Sequence, residues 1–441
     1  MEATASTTNT GQAFGSPGYR NFVLGSLTLV YTLNFIDRIL IGVVAEPIIE
    51  EFQLQDWQFG LLSGFGFALM YTLMGIPIAR WAERYNRVKI IAASVILWSA
   101  MTALCGIAEG FLALLVFRIG VGIGEAGCTP PANSIIADYF PAKNRAKALA
   151  TYAMGITFGT VLANAFGGPI AEAFSWRQAF LVLGIPGVLI GFVVLFTVKE
   201  PPRGYSDLPG TPQVEPLGLR ETLGELAAKT TFWMNIAAAT VVAFVGYGVG
   251  NFMAPFFQRT HGMGVGEVAT QINVPLGLAA SLGAFTAGYL TDLFSVKHPN
   301  AVGIIPGVAL ILCVPCYWIG FTTDNVSLAL AVLLVGNVLH YSYLGAQYTI
   351  CQGVASARSR ATAVAIMLFV VNLIGYGLGP LFVGFLSDAL MVSAQAEQVE
   401  NARAVGLAQS MILTVSLYGL GGVLFLATAK TLQRDMVSRL S

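Results

Sequence analysis

Four ionisable residues stand inside stretches too apolar to carry charge without a reason. Arg118 and Glu125 lie in FLALLVFRIGVGIGEAGCTPPANSIIADYF, residues 111–140, and Asp37 and Arg38 interrupt the apolar run 21–46. A charge inside a membrane helix costs on the order of 3 kcal/mol on insertion scales. Such charges persist where they face a water-filled cavity or pair with one another. Arg118 and Glu125 are seven residues apart, so on a helix they share a face, roughly 10.5 Å apart along the axis. They mark the wall of a polar cavity inside a membrane protein. Asp37 and Arg38 are adjacent and point about 100° apart. One faces the cavity and the other a neighbouring helix.

Two chemistries suit this set. Burial favours the neutral acid of a carboxyl group, and a nearby arginine favours the carboxylate. Asp37 and Glu125 are therefore candidate proton carriers. Arg118, with Arg38, is a candidate contact for an anionic headgroup. We expect Arg118 to pair with Asp37 in one state and to move toward Glu125 or the substrate in another. The plainer alternative is that Asp37 only ties helices together through an arginine.

The composition says what must position these residues. Of 441 residues, 56% are hydrophobic and 10% charged, against about 25% charged in soluble domains. A soluble fold is excluded. The net charge is zero and the basic residues are scattered over short loops, which excludes a nucleic-acid partner. The five cysteines all lie in apolar stretches. Cys313 and Cys316 match C-x-x-C without a second ligand pair, so no metal site is expected. Gly122–Gly127 matches G-x-G-x-x-G, but no strand precedes it, and no nucleotide or other cofactor is expected. Residues 1–19 are polar and carry no recognisable signal peptide.

Twelve apolar segments can be drawn: 21–46, 57–82, 88–108, 110–137, 146–172, 177–198, 231–258, 266–293, 299–321, 325–352, 360–390 and 403–429. The Pro-rich stretch 199–230 separates six from six and ends in an amphipathic helix over Leu217–Ala228. The expected organisation is a tail (1–19), a six-helix bundle (20–198), a linker (199–230), a second six-helix bundle (231–431) and a tail (432–441). Eighteen Lys and Arg residues, Arg439 among them, fall on one side of the segments and three, Arg177, Arg259 and Arg403, on the other. Basic loops stay in the cytoplasm, so both termini and the linker belong there.

The halves echo each other. Arg145-Ala-Lys-Ala148 recurs as Arg360-Ala-Thr-Ala363, 215 residues on, and Gly168-Pro169 as Gly379-Pro380. A parallel repeat of two bundles is a transporter architecture. Small residues line segment 5 at Gly155, Gly159, Ala163 and Gly167, with others at Gly60, Gly64, Gly277 and Gly375. They suit either static close packing or surfaces that slide.

The whole of residues 20–431 resembles a major facilitator superfamily transporter. Arg118-Ile-Gly-Val-Gly122-Ile-Gly124 is similar to the family's fourth-helix motif, with Val121 where the family has glutamine. Ala79-Arg-Trp-Ala-Glu83-Arg84-Tyr-Asn-Arg87 is similar to its loop signature G-x-x-x-D-R-x-G-R, with Ala79, Glu83 and Asn86 as departures. Gly288 and Asp292 keep part of a second copy. The resemblance implies gating roles for Glu83, Arg84, Arg87 and Asp292, and for Arg145 and Arg360 in the equivalent later loops. Asn34-Phe-Ile-Asp37-Arg38, with Glu125 seven after Arg118, further resembles the spinster branch. That branch includes animal exporters of sphingolipids and lysolipids; the chain is best placed as a bacterial homologue in the inner membrane.

The second half has His340 as its mid-segment ionisable residue, near Asn337, Tyr341, Tyr343 and Gln347. Its wall is otherwise apolar, which suits a substrate with a polar head and a greasy tail. Asn34, Arg38, Arg118, His340 and Tyr341 are the candidate substrate contacts. The sequence thus describes an all-α polytopic membrane protein of twelve transmembrane helices in two bundles. We expect it to act as a monomeric, proton-coupled transporter of a lipid-like or amphipathic anion, embedded among membrane lipids. The alternative substrate is a small organic anion or drug. An enzyme would need a catalytic cluster that His261, His298 and His340 do not form, and a channel would show fluxes far above a transporter's turnover. Reporter fusions after Ala228 and at the C-terminus should read cytoplasmic, and one near Gln53 external. A cytoplasmic signal near Gln53 would overturn the orientation.

Overall fold

Backbone amides and carbonyls have no water to bond inside a bilayer, so a chain of apolar segments folds them as helices. The computed structural model describes residues 12–207, 217–295 and 297–437; Arg439, the outermost tails and linker residues 208–216 lie outside them. Among the described residues there is no strand, and twelve helical spans are long and apolar enough to cross a membrane. We number them span 1 (Pro17–Val43), 2 (Asp56–Arg84), 3 (Arg87–Cys105), 4 (Phe111–Tyr139), 5 (Ala142–Ala173), 6 (Trp176–Thr197), 7 (Thr230–His261), 8 (Val265–Ser295), 9 (Ala301–Thr322), 10 (Val326–Val354), 11 (Arg360–Ala396) and 12 (Ala402–Asp435). Each overlaps one of the segments expected from the sequence, with ends that differ by a few residues.

The spans are not all continuous. Span 4 breaks after Glu125 and resumes at Thr129. Pro130 and Pro131 open the second piece. Neither has an N–H to return to the carbonyl four residues back, so the helix cannot run through 126–127. Span 10 breaks in the same way after His340 and resumes at Tyr343. There the Ser342 amide turns back three residues to the Leu339 carbonyl. Spans 2, 5, 8 and 11 each carry a π-helical turn, at Leu61–Phe65, Ala163–Gly167, Val268–Asn273 and Val371–Tyr376. Breaks in 4 and 10 and π turns in 2, 5, 8 and 11 follow the internal repeat.

By spatial proximity the described residues gather into two compact units, one within residues 12–41 and 69–207, the other within residues 42–68, 217–295 and 297–437. In the first, glycines set the helix spacing. A Cβ on Gly124 would lie 2.7 Å from the Trp98 amide nitrogen, and one on Gly155 3.0 Å from the Thr28 carbonyl. Span 4 thus presses on span 3, and the small stripe of span 5 lies on span 1. Residues 199–207 strap the end of this unit. Buried Arg87 bonds Glu200 at 2.6 Å, Ser134 at 2.7 Å, the Pro201 carbonyl at 2.8 Å and Asp138. Arg145 donates to Asp207 and to the Ala137 carbonyl.

In the second unit, residues 42–68 pack on the rest through backbone. A Cβ on Gly64 would lie 2.8 Å from the Gly377 carbonyl, and one on Gly60 would strike Pro380. The linker helix forms over Leu219–Ala227, within the expected range, and buries Thr222 and Leu226. Burial raises the Glu225 carboxyl, but bonds from the Ser356 amide and hydroxyl, from Ser359 and from Lys229 outweigh it and hold the group below the usual carboxylate range. This clasp contributes at neutral pH and is lost as the pH falls through that lowered value.

Gly124→Val should lower thermal stability, by about 1–3 kcal/mol, because backbone cannot move aside as a side chain can. Gly25 has nothing within 4 Å of its Cβ position. Gly25→Val should therefore leave the melting temperature of the purified protein unchanged. Equal melting of the two variants would show that the span 3–span 4 contact is looser than drawn.

Candidate functional site

The structure brings the four charges together in the first unit. Asp37, Arg118 and Glu125 are 2%, 0% and 1% exposed, so whatever neutralises them must lie beside them. Arg38 Nε donates to Glu125 Oε2 at 2.6 Å. The Arg38 guanidinium also lies over the rings of Tyr71 and Phe35, 4.5 and 5.4 Å from their centroids. Arg118 Nη1 donates to the backbone carbonyl of Asp37 at 3.4 Å and interacts electrostatically with both the Asp37 and the Glu125 carboxyl groups. Thr102 and Trp98 stand at the edge of hydrogen-bond reach of Asp37, and Asn34 beside Glu125. With both carboxyl groups ionised, two arginines and two carboxylates sum to zero. That balance is how a low-dielectric interior accommodates four charges.

One pair lies outside the contacts expected from the sequence. Arg38, not Arg118, holds the direct ion pair with Glu125. The 100° between adjacent helical positions sends Arg38 toward span 4 while Asp37 turns toward spans 3 and 4. Gly124 brings span 4 against Trp98, and the break after Glu125 ends the regular helix at the carboxylate itself.

His340 occupies the corresponding place in the second unit. It too is the last residue before its span's break, and it lies 215 residues after Glu125, the spacing of the Arg145 and Arg360 motifs. Tyr418 Oη lies 3.2 Å from each of its ring nitrogens, and Tyr317 Oη 3.5 Å from Nδ1. Tyr317 donates to Asn337 Oδ1 at 3.0 Å, and Asn337 donates to the Leu276 carbonyl at 2.6 Å. Tyr341 and Tyr343 pack against the imidazole, with ring centroids 4.5 and 6.0 Å away. The cluster is buried, aromatic and contains no carboxylate.

The candidate gating residues are dispersed. Glu83, Arg84, Asp292 and Arg360 are exposed. Arg87 and Arg145 fasten the 199–207 strap, as described above. A charge cluster the sequence reading did not assemble lies in the second unit. Arg259 Nη1 and Nη2 grip the Asp56 carboxylate at 2.8 and 2.9 Å, its Nε donates to Glu46 at 2.8 Å, and Ser387 donates to Asp56 at 2.7 Å. Asp388 accepts from the Asp56 and Trp57 amides, capping span 2. Opposite charges at the ends of segments 1, 2, 7 and 11 were the available signal. Tyr71, Trp98, Tyr317 and Tyr418 were also missed, because an aromatic in an apolar segment gives no sign of which way it faces.

Twelve apolar spans with mirrored breaks, and a buried charge set at one of them, define a membrane transporter rather than an enzyme. Residues 27–380 match the Major Facilitator Superfamily, and the chain belongs to it. An MFS-type efflux pump of Mycolicibacterium smegmatis is 31% identical over 419 residues, 94% of each chain. The sphingosine-1-phosphate transporter SPNS2 of Mus musculus is 28% identical over 426 residues, 91% of this chain and 76% of that one. A crystal structure of a bacterial homologue of the human lysosomal transporter Spinster, inward-facing and unoccupied, is 43% identical, superposes with a TM-score of 0.89, and covers 96% of this chain and 100% of the other. Within the superfamily the protein is a spinster-like transporter.

Arg38→Ala removes the direct partner of a fully buried carboxylate. It should destabilise the protein by about 3–5 kcal/mol, the usual effect of breaking a buried pair. Adding Glu125→Gln should recover most of that loss, read as melting temperature in detergent. A double variant no more stable than Arg38→Ala would mean that Arg38 stabilises by packing on Tyr71 and Phe35 instead.

Proposed function

We propose that the protein is a proton-coupled secondary transporter that moves an amphipathic, lipid-like anion of the sphingolipid or lysolipid class by alternating access. The observation that carries this is the quartet of buried Asp37, Arg118 and Glu125 with half-buried Arg38, whose formal charges cancel. Protonating Glu125 leaves the quartet with one net positive charge and releases Arg38 from its pair. An anionic headgroup then restores neutrality against Arg38 and Arg118, with Asn34 beside them. Losing that proton returns Arg38 to Glu125 and expels the anion. Proton and substrate thus favour each other, and each selects a population of conformers through its differential affinity. Asp37, close to the same arginines, is the second candidate carrier.

His340 and Tyr341 sit at the corresponding break of span 10 and are the proposed contacts of the second half. Glu83, Arg84, Arg87, Asp292, Arg145 and Arg360 are proposed to act at the cytoplasmic ends as the 20–198 and 231–431 bundles rock. In this reading the protein works as a monomer in a bacterial inner membrane with both termini cytoplasmic. The named activity of the mouse relative supports a lipid-like substrate. The mycobacterial efflux pump supports the second reading, a small organic anion or drug, which the two arginines would bind equally well.

The test is Glu125→Gln in reconstituted vesicles, with a lysophospholipid panel and short hydrophilic acids as probes. Lysophospholipids should raise the melting temperature of the wild-type protein by mass action, and short acids should not. Glu125→Gln should keep lysophospholipid binding, lose its pH dependence and abolish uptake driven by a pH gradient. Normal pH-driven uptake by this variant would leave Asp37 as the carrier. Stabilisation by short acids alone would favour the second reading.

A further inference from the structure

The outer surface of the second unit carries a groove between spans 9 and 12, with a volume of about 560 Å³. Its floor follows from helical spacing. Val423, Leu426, Ala427 and Lys430 line it from span 12, at the i, i+3, i+4 and i+7 positions that share one face. Asn300 and Ile304 line it from the start of span 9, one turn apart. The two helices cross closely just beside it. A Cβ on Gly303 would lie 2.8 Å from the Phe425 carbonyl, and one on Gly307 2.9 Å from the Gly422 carbonyl. The groove opens along the outer side of that crossing, where Ile304 and Val423 are 44% and 55% exposed.

Its chemistry is graded along its length. The walls are aliphatic, and Lys430, the one charged residue among the described residues that line it, stands exposed at the end of span 12. Lys297 and His298, also exposed, lie in the turn that leads into Asn300. A second surface groove, between spans 8 and 10, is lined by Pro275, Leu278, Leu282, Val335 and Leu339 with no polar side chain. Any alkyl chain would fit that one, and nothing there selects a headgroup. At Lys430, near the end of an apolar span, the aliphatic groove ends on a cation, and the ends of membrane spans are where headgroup phosphates meet basic side chains.

We propose that the span 9–span 12 groove is a binding site for one anionic phospholipid, with an acyl chain along Ile304, Val423 and Leu426 and the phosphate on Lys430. Charge complementarity selects this occupant over a zwitterionic lipid. The Lys430 ammonium carries three donors and no acceptor, which suits a headgroup whose negative charge no choline or ethanolamine offsets. The site is lined by none of Asp37, Arg38, Arg118 and Glu125 and does not depend on the transport reading.

The test uses the full-length protein in detergent. It is mixed with phosphatidylglycerol or phosphatidylcholine of identical acyl chains, and the lipids retained are counted by native mass spectrometry. Phosphatidylglycerol should be retained about fivefold over phosphatidylcholine, the ratio one lysine near an anionic headgroup provides. Lys430→Glu should abolish that preference, and Lys430→Gln should reduce it without adding a repulsive charge. Ala427→Trp should fill the groove and release the lipid. Inorganic phosphate at matched concentration should not displace it. Equal retention of the two lipids by the wild-type protein, a preference that survives Lys430→Glu, or displacement by phosphate alone would each overturn the proposal.

Discussion

A charge in a membrane interior must find its opposite within a few ångströms, and the centre of the first unit is built around that constraint. Glu125 has Arg38 at 2.6 Å, and Arg118 acts on both carboxyl groups of the site. Other features serve to make this possible. Gly124 lets span 4 approach Trp98. The adjacent pair Asp37-Arg38 aims two charges in two directions from one helix. Pro130 and Pro131 stop the helix at the carboxylate. A set that sums to zero can sit in a dry interior; one that gains a proton cannot, without a counter-charge. In the proposed mechanism that imbalance is what links proton and anion.

The internal repeat gives the same backbone device two different chemistries. Spans 4 and 10 break at equivalent places, but the residue before the break is Glu125 in one and His340 in the other. Around Glu125 lie arginines; around His340 lie Tyr317, Tyr418 and Asn337. The duplicated scaffold therefore places a cluster of arginines and carboxyl groups and a cluster of aromatic rings at equivalent places in the repeat. This division is the structural form of the asymmetry in the composition of the two halves.

Much of this was legible in the sequence, and what was not has physical reasons. Apolar length gave the twelve spans, because lipid permits few alternatives to a helix. The four site charges announced themselves by their cost. The exchange of partners did not: Arg38 and Arg118 both lie within reach of Glu125, and only the rotation of span 1 against span 4 decides between them. The break in span 4 is encoded in Pro130-Pro131, but hydropathy averages over it. That in span 10 has no proline to mark it. Arg87 and Arg145 matched loop motifs, but their acidic partners Glu200 and Asp207 come from the linker, which spacing could not connect to them. In the sequence Arg259 is one loop charge among others, and its bidentate hold on Asp56 depends on a contact 203 residues away in sequence.

The central claim is that Glu125 changes protonation in the working protein. Infrared difference spectroscopy of the purified protein, stepped in pH, reads carboxyl groups directly and needs no known substrate. If Glu125 titrates, a carboxylic-acid band exchanges with a carboxylate band as the pH is changed, and that band is missing in Glu125→Gln. Identical carboxyl bands in the wild-type protein and in Glu125→Gln across the whole range would contradict it.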